Sequence, residues 1–126
     1  MMMRGLPADS QRIGAAVSLR FCKEVRDMNP VKVRNVEIGT GIPKICVPIV
    51  GVTKEEIIEA AEKIKTTAAD VVEWRVDWYE DIFDFGKTED TMKALRETLG
   101  DMPILFTFRT SKEGGEKAIE TEAYVE

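Results

Sequence analysis

Ala69-Asp70-Val71-Val72-Glu73-Trp74-Arg75-Val76-Asp77 opens with a short apolar run and closes on three charges spaced two residues apart. Side chains of a strand alternate between faces, so Glu73, Arg75 and Asp77 are expected on one side, with Trp74 and Val76 on the other. A carboxylate and a guanidinium at the C-terminal end of a parallel strand stand where α/β folds build their sites. A second run, Pro103-Ile104-Leu105-Phe106-Thr107-Phe108-Arg109, repeats the pattern of an apolar strand running out into a charge.

Reading outward from the first stretch gives the frame. Lys44-Ile45-Cys46-Val47-Pro48-Ile49-Val50-Gly51 reads as an earlier buried strand, with Pro48 placed where its ladder is ending, because proline has no N–H to donate. Thr53-Lys54-Glu55-Glu56 is a capping box, and the helix it opens carries Ile57, Ile58, Ala61 and Ile64 as one apolar stripe. The Glu73 strand follows, completing a β-α-β unit with parallel strands. Residues 79–87 read as an aromatic and acidic loop closed by Gly86. Thr88 then reads as the cap of a second helix, with Glu89 and Asp90 in its first turn, Met92, Leu95 and Leu99 facing inward, and Gly100 at its end. The third strand runs to Arg109. The loop Thr110-Ser111-Lys112-Glu113-Gly114-Gly115-Glu116 leads into a last helical stretch from Lys117. The order fits the start of a barrel or of an open doubly wound sheet.

Upstream, Val31-Lys32-Val33-Arg34-Asn35-Val36-Glu37-Ile38-Gly39 alternates about Arg34-Asn35 like a small amphipathic hairpin. Residues 1–27 do not read as part of the fold and lack the long apolar core of a secretory signal. Lys23-Glu24-Val25 can be encoded by a bacterial ribosome-binding sequence, and Met28 follows at a short spacing. The expectation is therefore a leader over 1–27 and one α/β domain from 28 onward.

Composition narrows the function classes. The 126 residues carry a net charge of -5, which speaks against a nucleic-acid partner, since that would need a basic face. No stretch has the apolar length of a membrane span. Two cysteines in unrelated contexts, Cys22 and Cys46, suit a reducing cytoplasm better than a disulfide framework. There is no histidine, so the commonest general base and the commonest metal ligand are both missing. Glu73, Arg75, Asp77, Arg109 and Glu113 are the candidates for chemistry. The competing reading makes them ordinary salt bridges where strands return to water. Gly114-Gly115 lacks the spacing of a dinucleotide fingerprint, and no Walker lysine follows it.

Taken together, Glu73-Trp74-Arg75-Val76-Asp77, the run from Phe106 through Arg109-Thr110-Ser111-Lys112-Glu113-Gly114-Gly115-Glu116, and the opening Ile38-Gly39-Thr40-Gly41-Ile42-Pro43-Lys44-Ile45 resemble type I 3-dehydroquinate dehydratase. The resemblance covers Pro30 to the end. It implies the N-terminal part, about three βα units, of a (β/α)8 TIM barrel behind a small hairpin. It also implies a cytoplasmic shikimate-pathway lyase that dehydrates 3-dehydroquinate through a lysine Schiff base, with a histidine moving the proton. No cofactor or metal is implied, and the full-length family is expected to be a homodimer.

Matched by position, Glu73 and Arg75 correspond to residues that hold the substrate's ring hydroxyls, and Arg109 to the arginine that joins them. Glu113 resembles the acid that orients the catalytic histidine. Pro48 stands where many members have a substrate-contacting serine. No position here matches the histidine, the Schiff-base lysine or the carboxylate-binding arginine, and Lys112 falls in a loop rather than on a strand. Three of eight units of a barrel of about 250 residues need roughly 94, close to the 99 residues from Met28 to Glu126. The expectation is a fragment inactive alone; the rivals are a split-enzyme half needing a partner chain, and an unrelated α/β binding module.

Overall fold

A computed structural model of the chain describes residues 29–124, so the expected leader over 1–27 and the start at Met28 lie outside the described residues. The described residues fall into two units, the smaller of them holding 29–32 and 37–43. Strands β1 (Val31–Val33) and β2 (Val36–Ile38) form the expected two-stranded hairpin, turning at Arg34, which takes a positive φ.

The larger unit is a three-stranded parallel sheet in the order β3-β4-β5, built from β3 (Cys46–Ile49), β4 (Val71–Arg75) and β5 (Ile104–Thr107). Helix α1 (Lys54–Ile64) connects the first two strands, α2 (Phe85–Leu99) connects the second and third, and a short α3 (Thr121–Tyr124) follows. The register sets Pro48 opposite Glu73 and Glu73 opposite Leu105, so all three lie level across the sheet. Pro48 is tolerated inside β3 for a geometric reason. The Ile45 carbonyl accepts from Val71 N–H, and alternate residues present their polar groups to the same side, so the missing donor of Pro48 points away from β4.

Alternation divides the sheet as the sequence implies. Val72 and Trp74 are fully buried on the side covered by α1 and α2, with Ile49, Ile57, Ala61, Leu95 and Leu99 around them. The Thr53 capping box forms: the Thr53 hydroxyl accepts from Glu56 N–H and the Glu56 carboxylate accepts from Thr53 N–H. It starts α1 so that its Ile57–Ala61–Ile64 stripe meets the sheet.

The last helix, expected from Lys117, spans only Thr121–Tyr124, because Lys117 is taken up in a bridge to Thr110. Two further boundaries differ from expectation. Helix α2 begins at Phe85, three residues before Thr88, because Asp84 takes the N-cap and accepts from Lys87 N–H at 3.1 Å. Thr88 is inside the helix, its hydroxyl donating to the carbonyls of Asp81 and Ile82. Gly86 is a helical residue rather than a loop closure. Either Asp84 or Thr88 has the chemistry of a cap, and Lys87, paired at 2.8 Å with Asp81, favours the earlier start. The second difference is that β4 stops at Arg75. Val76–Trp78 form a turn of 3-10 helix, which ends the alternation and buries Val76 and Asp77 together.

A Cβ on Gly86 would meet nothing closer than Asp84 Oδ1 at 3.5 Å, an ordinary contact. Gly86→Ala is therefore expected to stabilise the chain by up to about 1 kcal/mol, read as a higher urea midpoint, since alanine loses less backbone entropy in a helix. A loop glycine would give a loss instead.

Candidate functional site

The face of the sheet opposite α1 and α2 carries Cys46 and Pro48 from β3, Glu73 and Arg75 from β4, and Leu105 and Thr107 from β5. At the C-terminal end of these strands the polar groups gather. Glu73 and Arg75 are half-buried and so keep part of their hydration. Desolvation first, and the Glu73 carboxylate second, push the Cys46 thiol up, so it stays protonated and weakly nucleophilic.

The centre of the cluster is Asp77, which is fully buried. Arg75 donates to it twice, Nε to Oδ1 at 2.8 Å and Nη2 to Oδ2 at 2.8 Å. Two backbone N–H groups from the loop after β5 donate to the same carboxylate, Arg109 to Oδ1 at 3.4 Å and Glu116 to Oδ2 at 3.2 Å. Burial would raise the carboxyl's pKa, but the Arg75 bonds and the two backbone donors outweigh it and bring it down to about 2. The bond to Asp77 in turn pushes the Arg75 guanidinium further up.

The loop after β5 is closed on itself. Thr110 bridges Lys117 in parallel, and Lys117 Nζ donates to the carbonyls of Asp77 and Tyr79. Gly115 must be glycine, because a Cβ there would run into the Arg109 carbonyl, and Gly114 takes a left-handed φ of 84°. The Gly-Gly pair thus serves the turn.

Four expected site residues, Glu73, Arg75, Arg109 and Glu113, fall into two groups. Glu73 and Arg75 share a strand face. Arg109 and Glu113 are exposed on the loop, where the Arg109 guanidinium lies against Gly114. Glu113 closes a second capping box, accepting from Thr110 Oγ1 at 2.9 Å and Thr110 N–H at 3.2 Å. Those bonds, the hydroxyl's foremost, hold its carboxyl below the usual range. Asp77 links the two groups. The sequence marks it only as a third alternating charge and gives no sign that it accepts from residues 32 and 39 positions further on. Among the described residues no cluster of three or more His, Cys, Asp or Glu could hold a metal ion, and no helix is long and apolar enough to cross a membrane.

A family model described as type I 3-dehydroquinase matches residues 45–126. A 3-dehydroquinate dehydratase of Clostridium botulinum is 56% identical over 95 residues, covering 75% of this chain and 37% of that protein. One from Listeria welshimeri is 54% identical over 99 residues, covering 79% and 39%. Among solved structures, the type I 3-dehydroquinate dehydratase of Clostridium difficile, with covalently modified comenic acid, superposes with a TM-score of 0.75 at 44% identity over 76% of this chain and 38% of that one. The Enterococcus faecalis 3-dehydroquinate dehydratase gives 0.73 at 49% identity, covering 75% and 40%. The chain spans about two-fifths of the length of the relatives it matches.

The depressed Asp77 value has a consequence in acid. An unfolded aspartate titrates near 3.8, above the folded value, so the contribution is present above about pH 4 and lost as pH falls toward 2. Urea unfolding at pH 6 and pH 3 is expected to show that Asp77→Asn loses less stability on acidification than the unsubstituted chain does. The difference is no more than about 2 kcal/mol. Equal losses would mean that Asp77 is not held as a carboxylate.

Proposed function

The chain belongs to the type I 3-dehydroquinase family, and from that membership we propose that it supplies substrate-orienting groups of a 3-dehydroquinate dehydratase. The observation that carries this reading is the position of Glu73 and Arg75: side by side on one face, at the C-terminal end of the central parallel strand. The loop bearing Arg109 is bonded to the turn that follows them.

The physical fit is to a polyhydroxylated ring. A ring hydroxyl both donates and accepts, so Glu73 takes its proton side and Arg75 its lone pairs. Arg109, exposed and with no side-chain hydrogen bond to the described residues, adds a cation on the neighbouring loop. Asp77 already occupies the Nε and Nη2 edge of Arg75, so the substrate meets the other edge, where Nη1 and the second Nη2 hydrogen remain. Glu113, which accepts from Thr110, would be the acid that orients a base supplied from outside these residues.

Elimination of water through an imine needs an amine and a proton-transfer group. No strand of the parallel sheet carries a lysine, and Lys117 is committed to two backbone carbonyls. In this reading the residues of 1–126 orient the ring, while imine formation and proton transfer fall to groups outside them. That division gives the chain a binding role in a lyase.

Two outcomes follow. Purified 1–126 is expected to leave 3-dehydroquinate unchanged, with no adduct trapped by borohydride on any of its lysines; turnover or an adduct would overturn the division of roles. With the remaining barrel restored by fusion to the C-terminal segment of a relative, Arg75→Lys is expected to lower kcat/KM roughly ten- to a hundred-fold, the cost of an aligned charged hydrogen bond. A strand-end salt bridge would tolerate lysine, with kcat/KM unchanged and stability altered by less than about 1 kcal/mol.

A further inference from the structure

Resting on that reading of Glu73 and Arg75, we propose that Asp77 is the positioning residue of the site: it fixes which edge of the Arg75 guanidinium is offered to a ligand, and ties that edge to the loop carrying Arg109 and Glu113. A guanidinium has two edges that can grip a pair of oxygens, one formed by Nε with an Nη, the other by the two Nη atoms. Asp77 takes the first, with both bonds at 2.8 Å. The planar group cannot rotate about its own bonds without breaking one of them, so the second edge is held in a single direction. The Arg75 side chain is 17% exposed and that of Asp77 is 0% exposed, so the pair forms with little competition from water.

The same two oxygens set the loop. Each receives one Arg75 donor and one backbone donor: Oδ1 from Arg109, Oδ2 from Glu116. A displacement of the loop therefore pulls on the oxygens that orient Arg75. Lys117 adds a separate attachment through the backbone carbonyls of Asp77 and Tyr79, one that does not involve the carboxylate. The two ties allow the roles to be separated, because loss of the carboxylate leaves the Lys117 bonds in place.

An aspartate that merely stapled the loop would protect the Arg109 and Glu116 amides and have no bearing on the Arg75 side chain. Hydrogen exchange followed by NMR on the full chain distinguishes the two, and needs no substrate, so its result is independent of whether the chain takes 3-dehydroquinate. In the unsubstituted protein the Arg75 Nε–H is expected to exchange at least about tenfold more slowly than the Arg109 Nε–H, because an N–H held to a buried carboxylate exchanges only on opening. In Asp77→Asn an amide donor faces donors, so Arg75 Nε–H and the Arg109 and Glu116 amides are all expected to exchange at least about tenfold faster, while Val72 and Trp74 amides speed up only as far as the loss of global stability requires. Wild-type Arg75 and Arg109 Nε–H exchanging at the same rate would overturn the proposal, whatever the variant's stability. So would a folded variant in which the loop amides speed up and Arg75 Nε–H does not, or the reverse.

Discussion

Everything at the charged end of this sheet hangs on one buried carboxylate. Taking a charge out of water is expensive, and Asp77 is stable there only because four hydrogen bonds and a guanidinium replace its hydration. The replacement partners come from β4 and from a loop more than thirty residues away, so the interaction also joins two consecutive βα units at the C-terminal ends of their strands. The Gly114-Gly115 turn and the Thr110–Glu113 capping box shape that loop so that its amides point inward. Neither device would matter without an acceptor to meet them.

The two faces of the sheet divide the labour. Burial of Trp74, Val72, Ile49, Ile57 and Leu95 between strands and helices drives folding and leaves the opposite face free for polar groups. That division weakens toward β5. Phe106 packs edge-on against Trp74 at 5.5 Å but is half-exposed, and an apolar cleft of about 350 Å³ opens beside it among Phe83, Phe85, Phe108 and Tyr124. Trp74 Nε1 is buried without a hydrogen-bond partner among the described residues. The charged residues are at the polar end of β4, and none of Glu73, Arg75 and Asp77 lines this cleft.

Much of this was readable beforehand, and for identifiable reasons. Period-2 alternation placed Glu73 and Arg75 opposite Trp74, and the capping box placed the start of α1, because both signals are local. The paired motifs around Glu73 and Arg109 pointed to the family. The start of α2 was misplaced because Asp84 and Thr88 both carry cap chemistry, and the choice depends on where Asp81 and Lys87 meet. Asp77 is a candidate in the sequence, but its partners are not legible there. Alternation predicts it on the face of Arg75, whereas the chain turns at Val76 to bring the carboxylate back under its own neighbour. The donors that compel the turn, Arg109 and Glu116, are adjacent only in the folded chain.

The central claim is that Arg75, held by Asp77, meets the substrate with its remaining edge beside Glu73. The most direct measurement is a crystal structure of the chain fused to the C-terminal segment of a related dehydratase, with a non-reacting polyhydroxylated ring acid bound. The account predicts ring oxygens within hydrogen-bond distance of Arg75 Nη1 and of the Glu73 carboxylate, with Nε and Nη2 still on Asp77. A ligand bound elsewhere, or an Arg75 that leaves Asp77 to reach it, would contradict the account.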